Sequence, residues 1–75
     1  MAENKKKQVR MYDHDFEVFV SEKDFISGKY RVTANYLGYP LIGIDYGYTE
    51  EEAIDNTVRK ILETNSLDSV KVLYD

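Results

Sequence analysis

The chain has 75 residues, a formal net charge of −4, seven tyrosines and no cysteine. That length is one domain, near the small end of what a hydrophobic core holds together unaided. The missing cysteine excludes disulfide staples and thiolate metal sites and fits a reducing cytoplasm, and no apolar run approaches the ~20 residues that span a bilayer.

The charge is unevenly placed. Lys5, Lys6, Lys7 and Arg10 are opposed near the N-terminus only by Glu3, whereas from Met11 onward 13 acids face 6 bases, a balance of −7. A body of that sign repels phosphate backbones. Tyrosine is amphipathic, loses few rotamers on burial and is enriched at interfaces.

Residues 1–8 contain no apolar residue beyond Met1 and Ala2, so they are expected to form a disordered basic tail that can be removed without harming a folded domain over 9–75. Val9 and Met11 alternate with polar neighbours, and Phe16 to Val20 is rich in β-formers, so a hairpin over 9–20 is expected, turning at Asp13-His14-Asp15. Ser21 to Gly28 is a loop carrying Phe25 and Ile26, which either tuck under the helix end or form a contact tip.

Tyr30, Val32, Ala34 and Tyr36 alternate with Arg31, Thr33 and Asn35, the period of a strand with one buried face. Gly38-Tyr39-Pro40 breaks that run with turn chemistry. Ile42, Ile44 and Tyr46 alternate again, and Gly47 ends the second strand of the pair. Thr49-Glu50-Glu51-Glu52 is a capping box, with the threonine oxygen expected to take the amide of Glu52 and the glutamate that of Thr49. Ala53, Ile54, Thr57, Val58, Ile61 and Leu62 recur at helical spacing. Val70, Val72 and Tyr74 predict a last strand. The fold expected is α+β: an antiparallel sheet of four to five strands with one amphipathic helix on one face, in the order β(β)ββαβ.

Chemistry is hard to build from these residues. His14 is the one histidine, and with Asp13 and Asp15 it occupies successive positions that point to different sides of an extended chain, so a solvated turn is expected rather than a metal site. Glu50, Glu51 and Glu52 stand where a helix start favours acids, and capping accounts for them without acid–base catalysis. Gly38, Gly43 and Gly47 match neither phosphate-binding glycine pattern. The reading is a protein that is not an enzyme, with no catalytic residue, cofactor or metal.

Two family resemblances rest on the glycines and the helix. Gly43, Gly47, Thr49, Ala53, Thr57, Val58, Ile61 and Leu62 are similar in spacing to the C-terminal half of a double-stranded-RNA-binding domain. That family places a lysine pair at the helix start, where this chain has Glu50 and Glu51, so the resemblance implies the β-β-β-α arrangement and argues against RNA binding. Gly47-Tyr48-Thr49-Glu50-Glu51-Glu52-Ala53 also resembles the G-x-T-x-E-E-A helix start of the HicB-type antitoxin fold. That likeness implies strands, a helix and a further strand, and bears on the fold more than on the partner.

One helix shields one side of such a sheet. If Phe16, Val18, Val20, Tyr30, Val32, Ala34, Ile42 and Ile44 face it, then Phe19, Arg31, Thr33, Asn35, Leu37, Leu41 and Gly43 fall on the open side. That face, rimmed by Tyr39 and the Phe25-Ile26 loop, is the expected surface for a protein partner or a second copy, with Glu50, Glu51 and Asp55 on the acidic helix as further contacts. The functional expectation is a small protein-binding regulator or inhibitor, antitoxin-like or phage-inhibitor-like, acting through an acidic, tyrosine-rich surface. The alternatives are a nucleic-acid binder using Lys5, Lys6 and Lys7, weak at most, or a self-associating structural protein. No membrane partner is expected.

Overall fold

A computed structural model describes residues 5–64. Four strands follow one another, β1 (Lys5–Met11), β2 (His14–Val20), β3 (Tyr30–Tyr36) and β4 (Ile42–Gly47), and the helix α1 (Glu50–Thr64) completes the described chain. The strands form one antiparallel sheet in the order β1-β2-β3-β4. The α+β class and the single helix across one face stand as expected. The order over the described residues is ββββα, and the strand predicted at Val70–Tyr74 lies outside them.

The first strand corrects the expectation of a disordered tail, because Lys5 to Gln8 pair with Val20 to Glu17. Their polarity suits an edge strand, where the ladder needs no apolar side chain and the ammonium groups find acids. Lys5 and Lys7 reach Glu50 at 3.1 and 3.8 Å, and Lys6 reaches Glu17 at 3.4 Å. Removing residues 1–8 would therefore take away most of a strand.

The hairpin that follows turns at Tyr12-Asp13, both left-handed with φ of 53° and 65°. Two such residues in a row give the primed turn whose twist matches the flanking strands. His14 accordingly begins β2 and is part-buried, not a solvated turn residue. Its Nδ1 lies 2.7 Å from the Tyr36 hydroxyl, and its ring stands near those of Phe16 and Tyr36. Burial in this cluster pushes the Tyr36 phenol above its ordinary value.

The core is built from alternate residues of two strands and the inner stripe of the helix. Phe16, Val18, Val20, Val32 and Ala34 meet Ala53, Ile54, Val58, Ile61 and Leu62. Thr57 is fully buried among them, and its hydroxyl donates to the carbonyl of Ala53 at 2.7 Å, one turn back in the helix.

In β4 the structure reverses the expected register. Gly43 pairs with Ala34, Asp45 with Val32 and Gly47 with Tyr30, which puts these three residues on the helix side. Ile42, Ile44 and Tyr46 face the other way and are 65%, 47% and 50% exposed. The reason is steric. A β-carbon at Gly43 would lie 2.6 Å from Cγ1 of Ile61, and one at Gly47 would lie 2.5 Å from the backbone nitrogen of Ala53. The helix lies so close to β4 that only glycine fits beneath it. Leu41, expected on the open side, is partly buried and packs against the core.

Candidate functional site

Three surfaces hold most of the residues singled out from the sequence, and the fold separates them. The open sheet face carries Phe19 and Arg31. Phe19 pairs with Thr33, Thr33 with Ile44, and Arg31 with Tyr46, so one continuous patch runs from the middle of the sheet to its β4 side. On the β1 side of the same face the charges are paired internally, Lys6 with Glu17 and Arg10 with Asp15 at 3.4 and 3.0 Å. Ile42, Ile44 and Tyr46 belong to this patch and were missed by sequence reasoning, which read apolar as inward. The glycines at 43 and 47 were the available signal, since residues four apart on a strand share a face.

The second surface is the β2–β3 loop. Phe25 and Ile26 are each 93% exposed at its tip, which decides between tucking and display in favour of display. Asp24 organises the loop. Its carboxylate accepts from the Ser27 hydroxyl at 2.8 Å and from the amides of Ile26 and Ser27 at 3.3 and 3.4 Å. Its carbonyl accepts from Gly28 at 2.7 Å, and its amide donates to Lys29 at 2.8 Å. Gly28, with φ of 74°, supplies the left-handed residue that brings the chain back. The Ser27 hydroxyl, followed by the Ile26 amide, holds the Asp24 carboxyl below the ordinary aspartate range. A pair of backbone and side-chain bonds between Ser21 and Arg31 closes the neck of the loop.

The third surface is the start of α1. Glu52 N–H donates to Thr49 Oγ1 at 3.0 Å, as a capping box requires. The reciprocal bond runs from the amide of Tyr48, not of Thr49, to Glu52 Oε1 at 2.8 Å. Glu50 is committed to Lys5 and Lys7, and Asp55 to the Tyr12 hydroxyl and to Arg59. Between this end of the helix and β1 lies an open groove of about 660 Å³, with Val9, Met11 and Ile54 among its lining and Glu51 at its side. Leu37 and Tyr39 stand apart from all three surfaces, in the β3–β4 turn. The Tyr39 ring lies tilted against that of Tyr36, with centroids 5.4 Å apart, and so belongs to the aromatic cluster on the helix side rather than to the rim of the open face.

The two sheet edges are treated differently. Tyr36 N–H bonds the Leu41 carbonyl at 2.9 Å, which sets the phase of the ladder, so Ile42, Ile44 and Tyr46 turn their peptide groups away from β3. Side chains meet them there. Asn56 donates to the Tyr46 carbonyl at 2.9 Å, Lys60 to the Ile44 carbonyl at 3.2 Å, and the Tyr46 amide to the Asp45 carboxylate at 2.8 Å. The Ile44–Tyr46 end of the β4 edge is thus partly capped by side chains.

Among the described residues no three His, Cys, Asp or Glu side chains converge as a metal site, and no helix is long and apolar enough to cross a membrane. Comparison with protein-family models, with curated proteins and with solved structures finds no match to this chain.

Proposed function

We propose that this chain is a small, non-enzymatic regulator or inhibitor that acts in the cytoplasm by binding another protein. The observation that carries the reading is the Phe25-Ile26 tip. Two large apolar side chains, each 93% exposed, stand on a loop whose anchoring aspartate uses both its carboxylate and its backbone to hold it. Ordering a loop in this way lowers the entropy lost when its side chains enter a pocket. Apolar anchors of this kind supply most of the energy of protein recognition. On the separate surface at the helix start, the exposed acids Glu51 and Glu52 and the exposed ring of Tyr48 add polar and aromatic character. A basic protein, such as a nucleic-acid-handling enzyme, is the natural target for that sign of charge. The resemblance of Gly47 to Ala53 to the HicB-type helix start supports an antitoxin-like role.

The ion pairs weigh against nucleic acid as the partner, since Lys5, Lys6 and Lys7 are each matched to Glu50 or Glu17. A photo-reactive phenylalanine analogue at position 25 tests the reading in cells of the source. Adduct formation with a discrete protein, abolished by Ile26→Ala in the same chain, is the expected result. Tight binding to duplex RNA or DNA that persists at raised salt, with no protein adduct at position 25, would overturn it.

A further inference from the structure

We infer that the open face of the sheet is a homodimer interface, on which a second copy of this chain lies face to face with the first. The inference does not rest on the loop tip, and it concerns the opposite side of the sheet from the helix.

Four observations support a second copy as the occupant. The first is composition. Phe19, Ile42, Ile44 and Tyr46 share this face, and three of them occupy successive outward positions on β4 with 47–65% of their surface exposed. A solvated strand face carries Thr or Lys at such positions, and contiguous apolar side chains mark an interaction surface.

The second is charge. The face holds Lys6, Arg10 and Arg31 against Asp15 and Glu17, a net of +1, and four of the five are already paired across strands. The helix holds five acids against Arg59 and Lys60, a net of −3. Two copies approaching by their helices, −3 against −3, repel each other far more than two approaching by their open faces, +1 against +1.

The third is symmetry. A two-fold axis running across the strands near Ile44 lays β4 on β4 in antiparallel sense. Ile42, Ile44 and Tyr46 of one copy then meet the same three residues of the other, which is the self-complementarity that a two-fold interface requires. The same axis lays β1 on β1 and β2 on β2, so the Lys6–Glu17 and Arg10–Asp15 pairs meet their counterparts at that end of the interface, each already neutralised within its own copy.

The fourth is area. Four strands about 4.8 Å apart and seven residues long make a face of roughly 19 by 23 Å, about 440 Å² taken flat. Side-chain relief raises that figure towards the low end of specific interfaces, roughly 600 Å² per partner. A contact of that size is a weak, reversible one, and the quality of its central contacts rather than its area sets the affinity.

The test is the molar mass of the full chain, measured by light scattering or sedimentation from micromolar to near-millimolar concentration. The expected result is a rise with concentration from 8.8 kDa to twice that value. Ile44→Lys should hold the mass at the monomer value throughout, with the circular dichroism spectrum and unfolding midpoint unchanged. Should Ile44→Lys fail to fold, Ile42→Lys, at the most exposed of the three positions, takes its place in the same measurement. A wild-type chain that stays monomeric at the highest concentration overturns the inference. So does a folded lysine variant that still dimerises, which would move the contact to the β1 edge or the loop tip.

Discussion

Gly43→Ala tests the central geometric feature of the fold, the near-contact between α1 and β4. On general grounds, replacing a strand glycine by alanine removes conformational freedom from the unfolded chain and stabilises by about 0.4–1 kcal/mol when the site is roomy. Here the added β-carbon would stand 2.6 Å from Cγ1 and 3.2 Å from Cδ1 of Ile61, a residue only 2% exposed. Neither Ile61 nor the helix backbone can yield without disturbing the core, and overpacking of this kind costs about 1–3 kcal/mol. Steric cost wins, and a net loss of about 1–2 kcal/mol is expected. For 60 described residues, a total stability on the order of 3–9 kcal/mol makes that loss plain in a urea titration followed by circular dichroism. The cycle with Ile61→Ala isolates the cause. Ile61→Ala alone costs about 2–5 kcal/mol by leaving a cavity. Adding Gly43→Ala to it should cost nothing further, which gives a coupling of about 1–2 kcal/mol between the two sites. A Gly43→Ala single variant more stable than the wild type would refute the close approach of helix to strand, and with it the outward placement of Ile42 and Ile44.

Three further outcomes follow from single contacts. Thr49→Ala removes the acceptor for the Glu52 amide and should lower stability by about 1 kcal/mol in the same titration; an unchanged midpoint would mean that the cap contributes nothing. Gly38 sits at φ of 102° in open space, so Gly38→Ala should cost about 1–3 kcal/mol from backbone strain alone, and a neutral result would show that the turn relaxes. Asp24 titrates below its ordinary value because the folded loop bonds its ionised form, so its contribution is complete above the unfolded value and is lost as pH falls through the lower, folded one. The amide resonances of Ile26 and Ser27 should therefore hold steady down to about pH 4 and shift only below it, and Asp24→Asn should abolish that transition.

Periodicity made most of the fold legible, and where it failed the cause was local. Phe16, Val18, Val20, Val32 and Ala34 stand inside because their alternation and their hydrophobicity agree. In β4 the two disagree. The positions facing the helix are held by Gly43, Asp45 and Gly47, the two glycines required by the close helix, and alternation then sent the isoleucines out. Strand β1 was half missed for a related reason. A ladder at a sheet edge tolerates Lys5-Lys6-Lys7, so its polarity concealed the pairing. The turn at Tyr12-Asp13 lacks the glycine that ordinarily announces two left-handed residues. Of the candidate surfaces, the Phe25-Ile26 tip was visible as two apolar residues in a polar loop, while the clamp by Asp24 needed coordinates.

The close fit of the helix on β4 has consequences on both sides of the sheet. Glycine at 43 and 47 lets α1 settle low over the edge strand, which brings Asn56 and Lys60 within reach of the outward carbonyls of Tyr46 and Ile44. That end of the edge is thereby obstructed to strand addition. At the other edge β1 presents Lys6 and Arg10, and charge along an edge strand opposes pairing with another chain. With one edge partly capped and the other charged, the backbone offers little for association, and side chains must carry it. The same glycines force Ile42, Ile44 and Tyr46 onto the uncovered face, where they join Phe19. A single packing choice therefore obstructs one end of the edge and creates the apolar face. The two properties should move together: a substitution that lifts the helix from β4, Gly43→Ala first among them, should free the Tyr46 and Ile44 carbonyls and loosen the alignment of the face. Hydrogen exchange at the amides of β4 and the concentration dependence of the molar mass would report both changes in one variant. If the amides of β4 exchange faster while dimerisation is untouched, edge and face are independent and this linkage is wrong.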